Sequence, residues 1–403
     1  MKRIILLLQL LILTAALIAL SSCSNRQSLG SANAPFAPRM ALQTHLPQPQ
    51  HIALLLPLTG SYAAYATAIR NGFFTAYYDQ KARTGFAPTI TVFNTDGKNI
   101  RDVYQTAVTE GADFVVGPLD KSDVLALADA HKSNVPVLAL NKTPANLRID
   151  NNALYEFSLS PTDEAHQDAI KAWNDHHHNI IILAPNNAWG QRLATAFTDQ
   201  WKAMGGTIIA TEYYGNMASL SKSIQTVLQI SHASQNDRHL KQLFHEDIRF
   251  IPDRRQDFDS IFLVATPEMG RQIKPLLNFY FAQNIPVYAT SQIYSGNPNA
   301  NRDNDLDGIL FCDMPWILTS NQMQPAYLQS IAQHIQALWP NNYAHLARFY
   351  AMGVDAFDLT LQMNQLASGM PAATGTLFLT QQHDIYRQLT WAQFQNGIPQ
   401  LVN

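Results

Sequence analysis

From His51 onward, short apolar runs alternate with amphipathic stretches. The first run, residues 52–56, is wholly apolar and is followed by an amphipathic stretch over about 62–78. Runs of this length are typical of strands that are buried on both faces of a parallel sheet. The alternation continues with strands at 89–93, 114–116 and 135–140 and with helices at 100–109 and 122–131. Repeated strand–helix units predict a parallel sheet with helices on both faces.

The same alternation restarts after residue 158. Ser160 is placed to cap a helix that begins at Pro161 and carries Asp163 and Glu164 in its first turn, which is a strong helix-start signal. The elements that follow are strands at 180–183, 207–212, 260–264 and 287–289 and helices at 190–204, 220–230 and 269–283. Two doubly wound halves in succession predict an α/β protein with two Rossmann-like lobes and a cleft between them. Periodicity alone leaves the arrangement of the lobes open.

The N-terminus has the pattern of an export signal. Lys2 and Arg3 precede a nearly continuous apolar run over residues 4–20, which is short for a membrane-spanning helix of roughly 20 residues. The run ends in LSSC at residues 20–23, which resembles the lipobox at which bacterial lipoproteins are cleaved and acylated. We therefore expect a signal peptide over residues 1–22 and a lipid anchor on Cys23. An uncleaved anchor helix with an incidental cysteine is the alternative.

The residues after the lipobox favour a tethered outer-membrane protein. Several acyl chains on one residue give stable anchoring. The cysteine is followed by Ser24, and by resemblance to Gram-negative lipoproteins a residue other than Asp at this position favours the outer membrane. Residues 24–50 contain four prolines among Ser, Asn, Gln and Ala without an apolar period, which predicts a flexible linker. The folded domain is then expected over residues 51–403, facing the periplasm, and is long enough for two cores.

Composition excludes some partners. The net charge of -3 and the lack of a Lys/Arg cluster give no reason to expect nucleic acid. The other cysteine is Cys312, so no intramolecular disulfide is possible once Cys23 is acylated. Cys312 stands in an apolar run and is expected to be a buried small hydrophobe.

One motif invites an enzymatic interpretation. Residues 219–222 match the S-x-x-K spacing of penicillin-binding enzymes, in which the lysine helps to activate the serine. Residues 234–236 supply an S-x-N, but no K-T-G follows, and the nearest approach, residues 142–144, lies upstream. This combination favours a chance match over an acyl-transfer site.

Three further segments resemble ligand sites without completing one. Residues 303–308 match the first half of a calcium loop, but the twelfth position is Met314 in place of a bidentate Glu. The adjacent histidines of 175–178 lack the spacing that metal ligands need on one helix face. Residues 58–61 precede a helix, and the backbone N–H groups at a helix N-terminus can bind an anion. The segment lacks both G-x-G-x-x-G and the P-loop lysine, so nucleotide binding is not supported. The sequence therefore predicts no metal, cofactor or catalytic residue.

Topology supplies candidates for the cleft. In open α/β sheets, ligands bind beyond the carboxyl ends of the strands. The residues in these positions are Thr59, Gly60, Ser61, Tyr62, Gly117, Pro118, Asn141, Ser291 and Gln292. Tyr62 and Trp189 offer stacking surfaces, but the set has no evident carboxylate–hydroxyl clamp for a free amino acid. Whether a small molecule binds here stays open, and a solute-binding lipoprotein of an ABC-type transporter is one interpretation of the chain.

Six short segments in one order carry a family resemblance. They are residues 52–60 (IALLLPLTG), 117–119, 135–141 (VPVLALN), 157–165 (FSLSPTDEA), 255–267 (RQDFDSIFLVATP) and 350–355 (YAMGVD). Together they resemble the LppC/LpoA family of outer-membrane lipoproteins. The resemblance implies a non-enzymatic protein that binds and activates a class A penicillin-binding protein, that is, a peptidoglycan synthase.

The same resemblance implies a fold and its lobe boundaries. Residues 51–403 are expected to form a type I periplasmic-binding-protein fold, with the chain crossing between lobes near Ser158, Asp313 and Gly375. Lobe 1 would then contain residues 51–158 and 314–374, and lobe 2 residues 159–313 and 375–403. Longer family members carry a helical-repeat domain after the anchor, and only the 24–50 linker occupies that place here. The chain is therefore expected to be a short form.

Overall fold

The computed structural model describes residues 46–129, 135–144, 153–230, 254–319 and 324–402. Within them the strands, numbered in chain order, are β1 (His51–Leu56), β2 (Thr89–Asn94), β3 (Phe114–Val116), β4 (Val137–Ala139), β5 (Leu154–Phe157), β6 (Asn179–Pro185), β7 (Thr207–Tyr214), β8 (Ser260–Leu263), β9 (Val287–Ala289), β10 (Ile309–Asp313), β11 (Met370–Ala372), β12 (Gly375–Leu379), β13 (Asp384–Gln388), β14 (Thr390–Gln395) and β15 (Ile398–Val402).

The α-helices of the same residues are α1 (Ala63–Thr84), α2 (Ile100–Thr109), α3 (Lys121–Ala128), α4 (Pro161–Asn174), α5 (Ala188–Ala203), α6 (Met217–Val227), α7 (Pro267–Leu277), α8 (Ala300–Asp303), α9 (Pro315–Leu318), α10 (Ala326–Leu338) and α11 (Pro340–Gln362). Side chains cap the starts of several of them. Ser160 accepts a hydrogen bond from the Asp163 N–H at the start of α4, and Asn187 does the same for Gly190 in α5. Such caps satisfy backbone donors that have no partner inside the helix.

The strands form two sheets that repeat one order. The first runs β11-β12-β13-β5-β4-β3-β1-β2, and the second runs β15-β14-β10-β9-β8-β6-β7. In each sheet five parallel strands follow the same order: β2-β1-β3-β4-β5 in the first and β7-β6-β8-β9-β10 in the second. We call the first sheet with its helices lobe 1 and the second with its helices lobe 2. The predicted doubly wound α/β architecture with two lobes is confirmed.

Both faces of each sheet are covered by helices. In lobe 1, α1, α10 and α11 bury one face, while α2 and α3 bury the other. In lobe 2, α6 and α7 cover one face, and α4 and α5 cover the opposite face. Ile317 of α9 packs against the cores of both lobes. The sequences of the short strands are continuous apolar runs because both faces of each strand are buried.

The structure corrects the third predicted crossing. β12 and β13 belong to the sheet of lobe 1, and the chain enters the sheet of lobe 2 only after Leu389. The prediction of a crossing near Gly375, with residues 375–403 in lobe 2, is therefore wrong. The reason is that β13 pairs in parallel with β5, which would otherwise be an edge strand. Leu377, Leu379 and Ile385 then bury their side chains in the core of lobe 1.

Two other features differ from the sequence-based expectation. One end of each sheet contains strands that pair antiparallel with their neighbours, such as β14 with β10. The strand–helix alternation of the sequence had predicted parallel pairing. The helix predicted over 269–283 ends as α7 at Leu277 and passes into a π-helical turn, Asn278–Ala282. Phe281 has a φ of 65° there, a backbone conformation that cannot continue a right-handed helix.

Within the described parts of the chain, no helix combines the length and the apolarity needed to cross a bilayer. The apolar run at 4–20, Cys23 and most of the 24–50 linker lie outside the described residues.

Candidate functional site

The carboxyl edges of the two parallel sheets meet at a junction between the lobes. Lys142 follows β4 of lobe 1 and contacts Asp163 of α4, while Ser291 follows β9 of lobe 2 and contacts Arg348 of α11. This edge is where open α/β sheets bind ligands. We refer to the residues that join the lobes here as the junction, and they form three groups.

The first group surrounds Lys142. Its Nζ lies 2.5 Å from Asp163 Oδ2 and 2.7 Å from Asp384 Oδ2. Asp163 belongs to lobe 2, whereas Lys142 and Asp384 belong to lobe 1, so the group bridges the lobes. Burial acts to lower the pKa of Lys142, but the attraction of the two carboxylates outweighs it and raises that pKa above its usual value. Lys142 is therefore a cation held between two carboxylates.

The second group surrounds Glu164, the next residue of α4. Its Oε2 accepts a hydrogen bond from the Ser291 N–H at 3.1 Å, and its Oε1 lies 3.8 Å from Arg387 Nη2. Arg387 on β13 also donates from Nε to the Ser158 carbonyl oxygen at 2.9 Å. Burial raises the pKa of Glu164 to about 7, and Asp313 adds to the rise while Arg387 opposes it. The group ties α4 of lobe 2 to the sheet of lobe 1.

The third group joins α11 of lobe 1 to the segment that follows β9. Arg348 donates from Nε to Asp313 Oδ1 at 3.1 Å and from Nη2 to Asp313 Oδ2. The same Nη2 contacts the Tyr294 carbonyl oxygen at 3.1 Å and the Ser291 carbonyl oxygen at 3.4 Å. A guanidinium suits this position because its fork of donors reaches a carboxylate and backbone carbonyls together.

The chain crossing at Leu389 is also fixed. Gln167 of α4 donates from Nε2 to the Arg387 carbonyl oxygen at 2.9 Å, and its Oε1 accepts from the Leu389 N–H at 3.0 Å. One amide side chain thus satisfies the backbone on both sides of the passage from β13 to β14. Removing that side chain would leave a buried donor and a buried acceptor without partners.

Part of the junction is buried, including Ser158, Thr290 and Ser291. The hydroxyl oxygens of Ser158, Thr290 and Ser291 are buried and have no hydrogen-bond partner among the described residues. Buried polar groups without partners are uncommon, because each loses its hydration without compensation. These hydroxyls therefore favour opening of the junction, and the charged groups across it favour closure.

The structure separates the predicted cleft residues. Residues 59–62 form an exposed turn, in which Thr59 Oγ1 donates to Asp96 Oδ2 at 2.7 Å. Gly117 and Pro118 are buried, and a Cβ at Gly117 would lie 2.0 Å from the Leu55 carbonyl oxygen. They shape the turn after β3.

The remaining cleft candidates lie nearer to the lobe contacts. Asn141 supports the loop that carries Lys142 by donating from Nδ2 to the Leu119 carbonyl oxygen at 3.0 Å. Gln292 is exposed, whereas Ser291 takes part in the junction through its backbone. Of the nine candidates, Ser291 is the one whose contacts belong to the junction.

Sequence reasoning missed the charged side chains of the junction. Asp163 and Glu164 were interpretable as favourable charges in a helix first turn, and Asp313 as a crossing point. Arg348 and Arg387 carried no local signal. The position of Lys142, three residues after the end of the buried strand β4, is the one pattern that would have pointed to this edge.

The motifs with apparent chemistry have structural partners. Ser219 Oγ donates to the Asn216 carbonyl oxygen at 3.0 Å at the start of α6. Asp303 pairs with Arg271 at 2.6 Å, and Asp307 accepts from the Gly397 N–H at 2.8 Å, so these carboxylates hold the loop before β10. The S-x-N at 234–236 lies outside the described residues. Among the residues that are described, no group of three or more His, Cys, Asp or Glu is placed to hold a metal ion.

A cavity of about 170 Å³ lies on lobe 1 between α9, the start of α10 and the β11–β12 hairpin. Pro315, Pro325, Leu328 and Pro371 are among its lining residues, and none of the ion-paired residues of the junction lines it. Small-molecule sites commonly enclose roughly 300–1,000 Å³. This cavity is smaller and separate from the junction.

Comparisons with known proteins agree on a family. The sequence profile described as LppC putative lipoprotein matches residues 33–397. A Photobacterium profundum protein named penicillin-binding protein activator LpoA is 30% identical over 358 residues, which cover 86% of this chain and 56% of the relative. The chain thus spans little more than half the length of that relative.

Solved structures give the corresponding match. The LpoA (YraM) C-domain from Haemophilus influenzae, described as a regulator of PBP1A, is 28% identical with a TM-score of 0.67, covering 88% of this chain and 100% of that domain. A putative branched-chain amino acid ABC transporter protein from Chromobacterium violaceum has a TM-score of 0.63 at 23% identity, covering 85% of this chain and 99% of its own. This second likeness shows the shared fold alone.

Proposed function

The chain belongs to the LppC putative lipoprotein family, and from this membership we propose that it binds and activates a peptidoglycan synthase of the penicillin-binding class. One observation carries the proposal: the chain aligns with the whole of a domain described as a regulator of PBP1A. A class A synthase is therefore the proposed partner. The proposed role is regulatory, with the chemistry performed by the synthase.

The junction supports this proposal over solute capture. Solute-binding proteins of this architecture close by hinge motion around a ligand. Here the ligand edge is filled by the protein's own ion pairs, Lys142 with Asp163 and Arg348 with Asp313. A free amino acid between the lobes would have to displace them. A protein partner that binds the outer surface of the lobes would not.

We further propose that Cys23 anchors the protein to the outer membrane and that residues 24–50 tether the folded domain on the periplasmic side. The lipobox-like LSSC sequence and the four prolines that follow it support this part of the proposal. Fully extended, a linker of this length spans at most about 90–95 Å. A synthase in the inner membrane must then project toward the tethered domain.

The test uses the purified chain over residues 24–403, produced without the signal peptide and without Cys23 so that it carries no lipid, together with a class A synthase. We expect direct binding and a faster rate of glycan polymerisation or cross-linking than the synthase shows alone. In parallel, a set of amino acids should leave the melting temperature of the chain unchanged, since ligand binding to the native state would raise it. No binding and no activation would contradict the proposal. A melting-temperature shift with one amino acid would favour solute capture.

A further inference from the structure

The first turn of α4 projects two adjacent carboxylates from lobe 2 into lobe 1. Asp163 contacts Lys142, and Glu164 faces Arg387. Both side chains sit at a capped helix N-terminus, where the helix dipole stabilises negative charge. Each carboxylate therefore belongs to one lobe and has its cationic partner in the other.

This arrangement matches what a bound solute does in a two-lobe protein. A ligand stabilises the closed state when it interacts with both lobes at once, because that interaction is lost on opening. Glu164 does the same: its Oε2 accepts from Ser291 of lobe 2, and its Oε1 faces Arg387 of lobe 1. Asp163 adds the contact to Lys142, which is shared with Asp384 of lobe 1.

We propose that Asp163 and Glu164 are an internal ligand that holds the two lobes closed in the absence of any solute. The protein then presents one fixed outer surface across both lobes, whatever partner binds there. The buried hydroxyls of Ser158 and Ser291 act in the opposite direction, since opening would let water satisfy them. Loss of the carboxylate contacts leaves this opposing contribution in place and opens the lobes.

The experiment measures the distance between the lobes. Spin labels are placed on exposed helix positions, Gln105→Cys of lobe 1 and Thr195→Cys of lobe 2, in the chain over residues 24–403, which lacks the signal peptide and Cys23. Cys312 is fully buried and does not compete for the label. Double electron–electron resonance should give one narrow distance distribution for this parent protein, unchanged by added amino acids. A broad or two-peaked parent distribution would overturn the proposal.

The decisive variant is Lys142→Met, with Lys171→Met as its matched control. Both lysine side chains are 18% exposed and pair with an aspartate, but Lys171 contacts Asp175 at the C-terminal end of α4, so that both partners belong to lobe 2. Lys142→Met should broaden the distribution and shift it away from the parent distance, whereas Lys171→Met should leave it unchanged. Asp163→Asn removes the other side of the same ion pair and is expected to act as Lys142→Met does.

Charge exchange separates the ion pair from a simple packing role. The double variant Lys142→Glu with Asp163→Lys moves the cation onto α4, where it faces the introduced carboxylate and Asp384. It should narrow the distribution relative to either single variant, but not fully, because the helix dipole disfavours a cation at this end of α4. Parent-like distributions in both Lys142→Met and Asp163→Asn would overturn the proposal. Equal broadening in Lys142→Met and Lys171→Met would also overturn it, because the effect would then reflect α4 stability. Circular dichroism of each variant verifies that it is folded.

Discussion

Two interfaces of this molecule hold helices in place by different means. The contact between α1 and α11 inside lobe 1 is built on close backbone approach: a Cβ at Gly353 would lie 2.0 Å from the Ile69 carbonyl oxygen, and one at Gly72 would lie 2.1 Å from that of Tyr350. Phe73 and Phe357 pack edge to face there at 5.2 Å between ring centroids. The junction between the lobes is instead built from ion pairs and hydrogen bonds.

The difference concerns reversibility. Apolar surfaces that interlock have no favourable alternative in water, so α1 and α11 stay together as long as lobe 1 is folded. Charged groups are well hydrated when separated, and a charge pair therefore favours closure by a smaller margin. The apolar interface makes each lobe cohesive, and the polar one sets how the lobes are arranged. Four predictions test this contrast.

The largest effect is expected from breaking the junction at its most buried cation. Arg387→Met removes the partner of Glu164 and of the Ser158 and Thr374 carbonyl oxygens. Unpairing a buried charge typically costs about 3–5 kcal/mol, and we expect a loss of this order in urea denaturation. Adding Glu164→Gln should recover part of the loss, because the uncompensated carboxylate is then gone. Glu164→Gln alone completes the cycle, and a loss in the double variant equal to the sum of the two single losses would show that the residues are energetically independent.

Overpacking the apolar interface comes second. Gly353→Ala pushes a methyl group against the Ile69 backbone, and forced repacking of this kind costs about 1–3 kcal/mol. The free energy of unfolding should fall while the interlobe distance stays unchanged, since the lobes themselves are held by the junction. Gly85→Ala provides a contrast, because a Cβ there meets nothing within 4 Å and the strain comes only from its positive φ. A changed interlobe distance in Gly353→Ala would contradict the division of roles.

The third prediction concerns the pH dependence of stability, to which a buried carboxyl group on α11 should contribute. Asp358 of α11 is buried, and burial together with Asp355 raises its pKa to about 8. The folded state therefore holds this proton more tightly than the unfolded state, so its contribution to stability is lost as pH rises from about 4 to 8. Asp358→Asn should flatten the dependence by up to about 1.4 kcal/mol per pH unit. The exposed Asp102→Asn serves as a control, and equal slopes in both variants would contradict the assignment.

The smallest effect is expected at an ion pair whose cation faces solvent. Arg83 and Asp79 of α1 lie 2.6 Å apart, with the arginine side chain 47% exposed and the aspartate side chain 11% exposed. Exposed pairs contribute roughly 0.2–1 kcal/mol, so Arg83→Gln should shift the unfolding midpoint only slightly and in a salt-dependent way. A loss comparable to that of Arg387→Met would show that exposure does not separate the two kinds of ion pair.

The sequence alone determined the order of the elements and the architecture. The apolar runs and helix caps are local signals, and they placed α2, β3 and β9 at the bounds that the structure shows. The repeated strand–helix alternation implied two doubly wound lobes because burial on both faces leaves a continuous apolar run in each strand. The third crossing was misplaced because the pairing of β13 with β5 has no local signature.

The junction was decided by the tertiary structure. Lys142 and Asp384 are separated by 242 residues, and they meet only because β13 returns to the sheet of lobe 1. Asp163 and Glu164 fit the preference for acidic residues in the first turn of a helix. The sequence around them does not indicate that Lys142 and Arg387 are their partners. Hydrophobic periodicity records which face of an element is buried. The choice of partner for a charge depends on distances between elements that are far apart in sequence, and only the folded chain sets them.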